Sequence, residues 1–190
     1  TAADVAPSTD APGAVSLGGD GMLERQVGAV EAASVSAEQW DHVMAAPVLD
    51  TTQDLAYTGT EDTGAPANGT AAGVLVSDYT VGMSDADPDA AKGIAIIGVT
   101  TTNGTWWYSM DGGATWAQVG TVSTTSALLL ADNGQTRLYY QPNAHFNGSA
   151  GNAMTIRAWD QSAGTAGTKV NPSTISGAVS TASDTISVSV

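Results

Sequence analysis

Carboxylates carry most of the chemistry this sequence can offer. Ser84-Asp85-Ala86-Asp87-Pro88-Asp89 sets three of them at alternate positions, and Pro88 keeps the stretch out of a strand or helix interior. Their mutual repulsion needs a counter-charge or full solvation. Glu61-Asp62 and Trp159-Asp160-Gln161 add acids at two further sites. Ca²⁺ takes ~6–8 oxygens from carboxylates, carbonyls and amides, and short Asp side chains in loops supply these. Mg²⁺ keeps its waters and suits such a cage less well, and the spacing lacks the glycine and terminal glutamate of an EF-hand loop. The candidate metal ligands are therefore Glu61, Asp62, Asp85, Asp87, Asp89 and Asp160.

A second set could contact a ligand. In Gly104-Thr105-Trp106-Trp107-Tyr108, strand alternation points Trp106 and Tyr108 to one face and Trp107 to the other. In Arg137-Leu138-Tyr139-Tyr140-Gln141, Leu138 and Tyr140 point inward, leaving Arg137 and Tyr139 outward. Exposed aromatics on a sheet need covering or contacting. Either Trp107 and Tyr139 form a ligand platform, or residues 1–46 or the 161–182 loop pack over them. Asn143, His145, Asn147 and Asn152 fall in one Asn- and Gly-rich loop, and Gln161 follows Asp160. A lone surface histidine is ordinarily just a loop residue. Neither His42 nor His145 sits beside a nucleophile motif, and the acids bunch as metal ligands do, so the chain does not read as an enzyme.

These residues need a scaffold, and composition says which kind. The chain of 190 residues has 22 Gly, one Phe and no Cys. Small and β-branched residues at this density suit strands and turns, while the lack of Cys removes disulfides and thiolate zinc sites. Acids outnumber Lys plus Arg 19 to 5, and a net charge of −14 repels phosphate backbones, which argues against a nucleic-acid partner. No window approaches the ~18 apolar residues of a membrane helix, and the start lacks the basic, apolar pattern of a signal peptide. The sequence reads as a piece of something longer.

Along the chain, 1–46 reads as an N-terminal extension. A loop precedes Ser36-Ala-Glu-Gln39, a capping box, and Trp40, Val43 and Met44 follow at helical spacing, giving one short helix expected to dock its Trp40 face on the rest. From Pro47 the pattern is β. Strands are expected at 47–50 and 54–58 as a pair or one kinked strand, then at 74–77, 93–99, 136–141, 153–160 and 184–190, with an apolar run at 127–130. Asp111-Gly112-Gly113 turns a hairpin whose return strand begins at Trp116, and Asp132-Asn133-Gly134 is a further turn. Short strands with turn signals every ~8–12 residues predict an all-β sandwich with Greek-key connections and long loops.

Three blocks add a family likeness. Gly93-Ile-Ala-Ile-Ile-Gly-Val-Thr-Thr-Thr-Asn-Gly-Thr-Trp-Trp-Tyr-Ser-Met-Asp-Gly-Gly-Ala-Thr-Trp116, Thr136-Arg-Leu-Tyr-Tyr-Gln-Pro-Asn-Ala-His-Phe-Asn-Gly148 and Phe146 to Gln161 resemble the cadherin-like β-sandwich domains of giant bacterial RTX adhesins. Among these, residues 47–190 look most like the peptide-binding domain of the ice-binding adhesin type. Spacer-like members commonly read Gly-Thr-Trp-Gln-Tyr and Arg-Leu-Arg-Phe-Val-Pro. Trp107, Tyr139 and His145 are thus departures from the spacer pattern.

The resemblance implies an extracellular, bacterial cell-surface module, monomeric within a larger chain and held by several Ca²⁺ ions. A sandwich of this kind would bring the three acidic strand ends together at one pole. One Ca²⁺ would grip the C-terminus of a peptide or protein on another cell surface, for attachment and biofilm formation. The alternatives are a carbohydrate-binding sandwich, with Trp107 and Tyr139 stacked on a glycan, and a passive Ca²⁺-stiffened spacer.

Overall fold

Alternating apolar residues become strand throughout the described part of the chain, residues 45–190 of the computed structural model. The expected 1–46 extension lies outside those residues up to position 44, as do the helix after Ser36 and the docking of Trp40. The six-stranded sheet is built from β2 (Ala56–Thr58), β5 (Gly93–Val99), β8 (Ala127–Ala131), β10 (Ser149–Trp159), β11 (Lys169–Val170) and β12 (Asp184–Ser189), in the order β11-β8-β5-β10-β12-β2. A four-stranded sheet contains β3 (Val74–Leu75), β6 (Gly104–Ser109), β7 (Ala117–Gln118) and β9 (Arg137–Pro142), in the order β3-β9-β6-β7. A ribbon pairs β1 (Val48–Leu49) with β4 (Met83–Ser84). All pairings are antiparallel except β2 with β12, which is parallel.

The fold is an all-β sandwich, and its core shows why. Ile94, Ile96, Leu128, Leu130, Met154, Ile156, Ile186 and Val188 from the larger sheet pack against Trp106, Leu138 and Tyr140 from the smaller one. These side chains recur at every second residue, the period that sends them to a single face. Trp106 meets Tyr140 edge-on at 5.1 Å and Tyr57 at 5.5 Å, and its indole N–H donates to the Ala153 carbonyl.

β5 and β8 are apolar on both faces because both are covered. Ala95, Ile97, Leu129 and Trp159 face away from the sandwich core, where Ala163, Ala166, Ile175, Ala178 and Val179 of the 160–183 connection pack on them. The Trp159 indole N–H donates to the Ala163 carbonyl at 2.8 Å, fastening that connection down. The long loop therefore closes the outer face of the six-stranded sheet rather than covering Trp107 and Tyr139. The aromatic demand of Trp159 draws it there.

Tyr139 is covered by the 59–73 loop instead. Its hydroxyl donates to the Gly64 carbonyl, and Trp116 packs edge-on against it at 6.1 Å. Trp116 is tied to the same loop through the Asn68 side chain and the Thr70 carbonyl. Close approach makes Gly73 obligatory there. Its φ is +66°, and a Cβ would lie 2.0 Å from the Leu138 carbonyl oxygen.

The hairpin forms, with a two-residue return strand at Ala117–Gln118 that starts just after the expected Trp116. Asp111 closes it, accepting from the Ser109 hydroxyl, the Thr115 amide and the Thr115 hydroxyl. Asn133 fixes the second turn through the amides of Gln135 and Thr136. The 47–58 stretch departs from expectation, because β1 joins the ribbon while β2 joins the large sheet. The 74–77 strand is also cut short, since a 3-10 turn at Val76–Tyr79 buries Val76 and Tyr79.

Candidate metal and ligand sites at two poles

Strand register decides which acids meet. β10 begins at Ser149, opposite Ser189, and ends at Trp159, opposite Gly93. With 11 residues at ~3.3 Å each, its ends stand on the order of 30 Å apart. β2 runs parallel to β12 and ends at Thr58 beside Ser189, so Glu61 and Asp62 follow at the Ser189 pole. Asp160 lies at the Gly93 pole, as do the residues leading into Gly93. The six acids therefore do not converge at one pole. They divide between two, because β2 and β10 run in opposite senses beside β12.

At the Ser189 pole, Glu61 and Asp62 meet His145, and one donor atom from each falls within 4.8 Å of the others. The His145 amide donates to Asp62 Oδ1 at 2.8 Å, and its Nδ1 lies 3.7 Å from the same oxygen. All three side chains are exposed, so the cluster faces solvent. Asn143 stands in the same loop, bonded to the Asn103 and Thr102 carbonyls. Asn147 is exposed nearby, and Asn152 sits in the irregular start of β10, where its carbonyl accepts from the Thr100 hydroxyl. The sequence offered Glu61 and Asp62 as ligands but kept His145 apart from them. The sequence separation of 83 between Asp62 and His145 hid that contact.

At the Gly93 pole, Asp85, Asp87 and Asp89 line a cleft of about 290 Å³ together with Pro47, Met83 and Lys92. Asp87 Oδ2 accepts from the Ala45 amide, and Asp85 Oδ1 accepts from the Asp87 amide. Asp160 is 5% exposed, and its Oδ1 accepts from the Ser162 amide. Gln161 donates to the Lys92 carbonyl, joining the Asp160 turn to the cleft wall and standing far from Asn143 and His145. The second carboxylate oxygens of Asp85 and Asp160 are buried with no hydrogen-bond partner, and so is that of Asp184 at the start of β12. No Lys or Arg forms an ion pair with any of them among the described residues.

A buried carboxylate oxygen without donor or counter-charge is costly, yet among the described residues the acids whose donor atoms converge within 4.8 Å are Glu61 and Asp62, with His145, at the other pole. The sequence reading missed Asp184. Its signal was an acid in line with the inward-facing Ile186 and Val188, where alternation leaves no place for one.

Backbone strain falls on other members of the candidate sets. Among the described residues, the non-glycine residues with positive φ are Asp62 (59°), Asp89 (59°), His145 (62°), Asn152 (52°) and Gln161 (65°). Each such residue costs on the order of 1 kcal/mol, and such strain tends to collect at functional sites. All five belong to the candidate metal or ligand sets. Trp107 is half-buried at the centre of the smaller sheet, and its indole N–H donates to Gln141 Oε1 at 3.0 Å.

Comparison with protein-family models, curated proteins and solved structures finds no match to this chain.

Proposed function

We propose that residues 47–190 form a Ca²⁺-dependent ligand-binding module of a secreted bacterial surface adhesin, gripping a peptide C-terminus through a bound Ca²⁺ in cell attachment and biofilm formation. The observation that carries the metal reading is the convergence of Glu61, Asp62 and His145 within 4.8 Å, and the buried, unpartnered carboxylate oxygens on Asp85, Asp160 and Asp184 add to it. Asp85, Asp87, Asp89 and Asp160 would hold structural Ca²⁺ and tie the loops of the Gly93 pole together. Ca²⁺ supplies the positive charge that these oxygens otherwise lack.

The ligand grip is assigned to the Ser189 pole. Glu61 and Asp62 are exposed there, and a cation on them would keep open positions for an incoming carboxylate. A chain of net charge −14 repels an anionic peptide end unless a cation bridges the two. Asn143 and Asn147 supply neutral amides beside the grip. The placement on a bacterial surface rests on the likeness to RTX adhesin domains.

Thermal unfolding with and without Ca²⁺, paired with binding to immobilised peptides, tests this reading. Free C-terminal peptides should bind only with Ca²⁺, and amidating their C-termini should abolish capture. A melting temperature that chelator leaves unchanged would remove the metal from the reading. Equal capture of amidated peptides would remove the carboxylate grip.

A further inference from the structure

Four Asn-Gly pairs punctuate the chain, at Asn68-Gly69, Asn103-Gly104, Asn133-Gly134 and Asn147-Gly148. Asparagine before glycine is prone to lose its side-chain amide, because no Cβ on the glycine shields the backbone nitrogen that attacks. The reaction needs two freedoms. The asparagine side chain must fold back over the following peptide, and the N–H of that peptide must be released from its own acceptor.

Three of the pairs lack them. Asn68 Oδ1 accepts from the Trp116 amide, and the Gly69 N–H is shared between the Gly113 and Ala114 carbonyls. Asn133 Oδ1 accepts three hydrogen bonds, from the Gln135 amide and from the amide and hydroxyl of Thr136. Gly104 is buried at the start of β6, where even a Cβ would lie 2.4 Å from the Gln141 carbonyl oxygen, leaving no room for a ring to close beside it.

Asn147 is different. Asn147 and Gly148 are both exposed, and no hydrogen bond among the described residues engages the Asn147 side chain. Nothing stands within 4 Å of where a Gly148 Cβ would be. The loop is anchored just before this pair, by the Phe146 amide on the Asn143 carbonyl and by the Phe146 ring against the core. The single restraint on the attacking group is the hydrogen bond from the Gly148 N–H to the Val190 carbonyl at 3.0 Å.

We infer that Asn147 is the site at which this protein spontaneously deamidates. When the Gly148–Val190 pair opens, the Gly148 nitrogen gives up its proton and attacks Asn147 Cγ. The new N–Cγ bond closes a succinimide ring as the Cγ–Nδ2 bond breaks and ammonia leaves. Water then opens the ring at one of its two carbonyls, giving aspartate or, where the side-chain carbons become part of the main chain, isoaspartate. Either product sets a new carboxylate in the loop that Asp62 holds through the His145 N–H. The isoaspartate also lengthens the main chain just ahead of Gly148, which takes Gly148 out of register with Val190.

Peptide mapping by mass spectrometry, on the full chain held in mildly alkaline, Ca²⁺-replete buffer, tests this. The peptide carrying Asn147 should gain the mass of an amide-to-acid exchange first, at least about tenfold faster than the peptides carrying Asn68, Asn103 and Asn133, because fewer hydrogen bonds must open there. Unfolding in urea should remove that preference. Asn147→Gln, whose longer side chain does not close the ring readily, should abolish the fast conversion and leave the slow ones. In the isoaspartate product, the Gly148 and Val190 amides should exchange hydrogen faster. Equal rates at the four pairs in the folded chain overturn the inference, as does an Asn147 peptide that stays unchanged while the urea-unfolded chain deamidates, or the same preference persisting in urea. The readout is a mass at Asn147 and needs neither bound cation nor peptide, so it holds or fails separately from the ligand grip.

Discussion

The backbone N–H of His145 donates to Asp62 Oδ1 at 2.8 Å, joining the 143–148 loop to the loop after β2 across 83 residues. Asp62 thus has two roles, as acceptor for a strained backbone and as candidate ligand. Asp62→Ala should speed hydrogen exchange at the His145 amide and abolish Ca²⁺-dependent peptide capture. Exchange by NMR and binding to immobilised peptide check the two outcomes in one variant.

His145→Gly separates strain from function. Glycine tolerates the +62° φ at this position, so stability should hold or rise by up to ~1 kcal/mol in urea denaturation. Peptide capture should weaken if the imidazole takes part in the grip. Capture and stability falling together would mean that His145 serves only to hold its loop.

Ca²⁺ should stabilise the module through the Gly93 pole. At a hundredfold excess over Kd, a single ion adds ~2.7 kcal/mol, which raises the melting temperature by roughly 8 °C in a domain of this size. Asp160→Asn removes the charge and keeps the shape. Calorimetry should show that this variant loses most of the Ca²⁺-induced rise, while its metal-free melting temperature falls little or increases.

Asp111 gives the hairpin an acid limit. Hydrogen bonds from the Thr115 hydroxyl first, then the Thr115 amide and the Ser109 hydroxyl, hold its carboxyl at about 2. The ordinary value in an unfolded chain is ~3.9. A lowered folded pKa contributes stability that is complete above the unfolded value and lost as pH falls through the folded one. Denaturation midpoints should therefore decline between about pH 4 and pH 2, and Asp111→Asn should flatten that decline.

Gly73→Ala tests the loop that covers Tyr139. The new Cβ would strike the Leu138 carbonyl at a φ of +66°, costing more than ~1 kcal/mol. Fluorescence of Trp116 should shift toward solvent as the 59–73 loop lifts away.

Much of the frame was legible from local pattern. Alternation at Trp106, Leu138 and Tyr140 gave their inward faces, and Asp111-Gly112-Gly113 gave the turn, because both signals act within a few residues. Pairing over long separations was not legible. Nothing local says that β2 runs parallel to β12, and that one pairing sends Glu61 and Asp62 to the pole opposite Asp160. The 161–182 loop and the 59–73 loop are both small, polar and Gly-rich, so composition alone could not say which sheet each would cover. The choice follows from partners far away, Trp159 for one and Tyr139 with Trp116 for the other. The candidate site was legible residue by residue, in that all five positive-φ residues had been singled out, but not in its grouping.

The parallel pairing of β2 with β12 also has a mechanical consequence. The Ala45 amide is fixed to Asp87 at the Gly93 pole, whereas Val190 exchanges hydrogen bonds with Gly148 at the other end. Tension applied at Ala45 and Val190 runs along the strands and pulls β2 and β12 in opposite directions past each other. Their hydrogen bonds then share the load in shear instead of opening one at a time, so the sandwich resists stretching most along the axis that joins its two acidic ends.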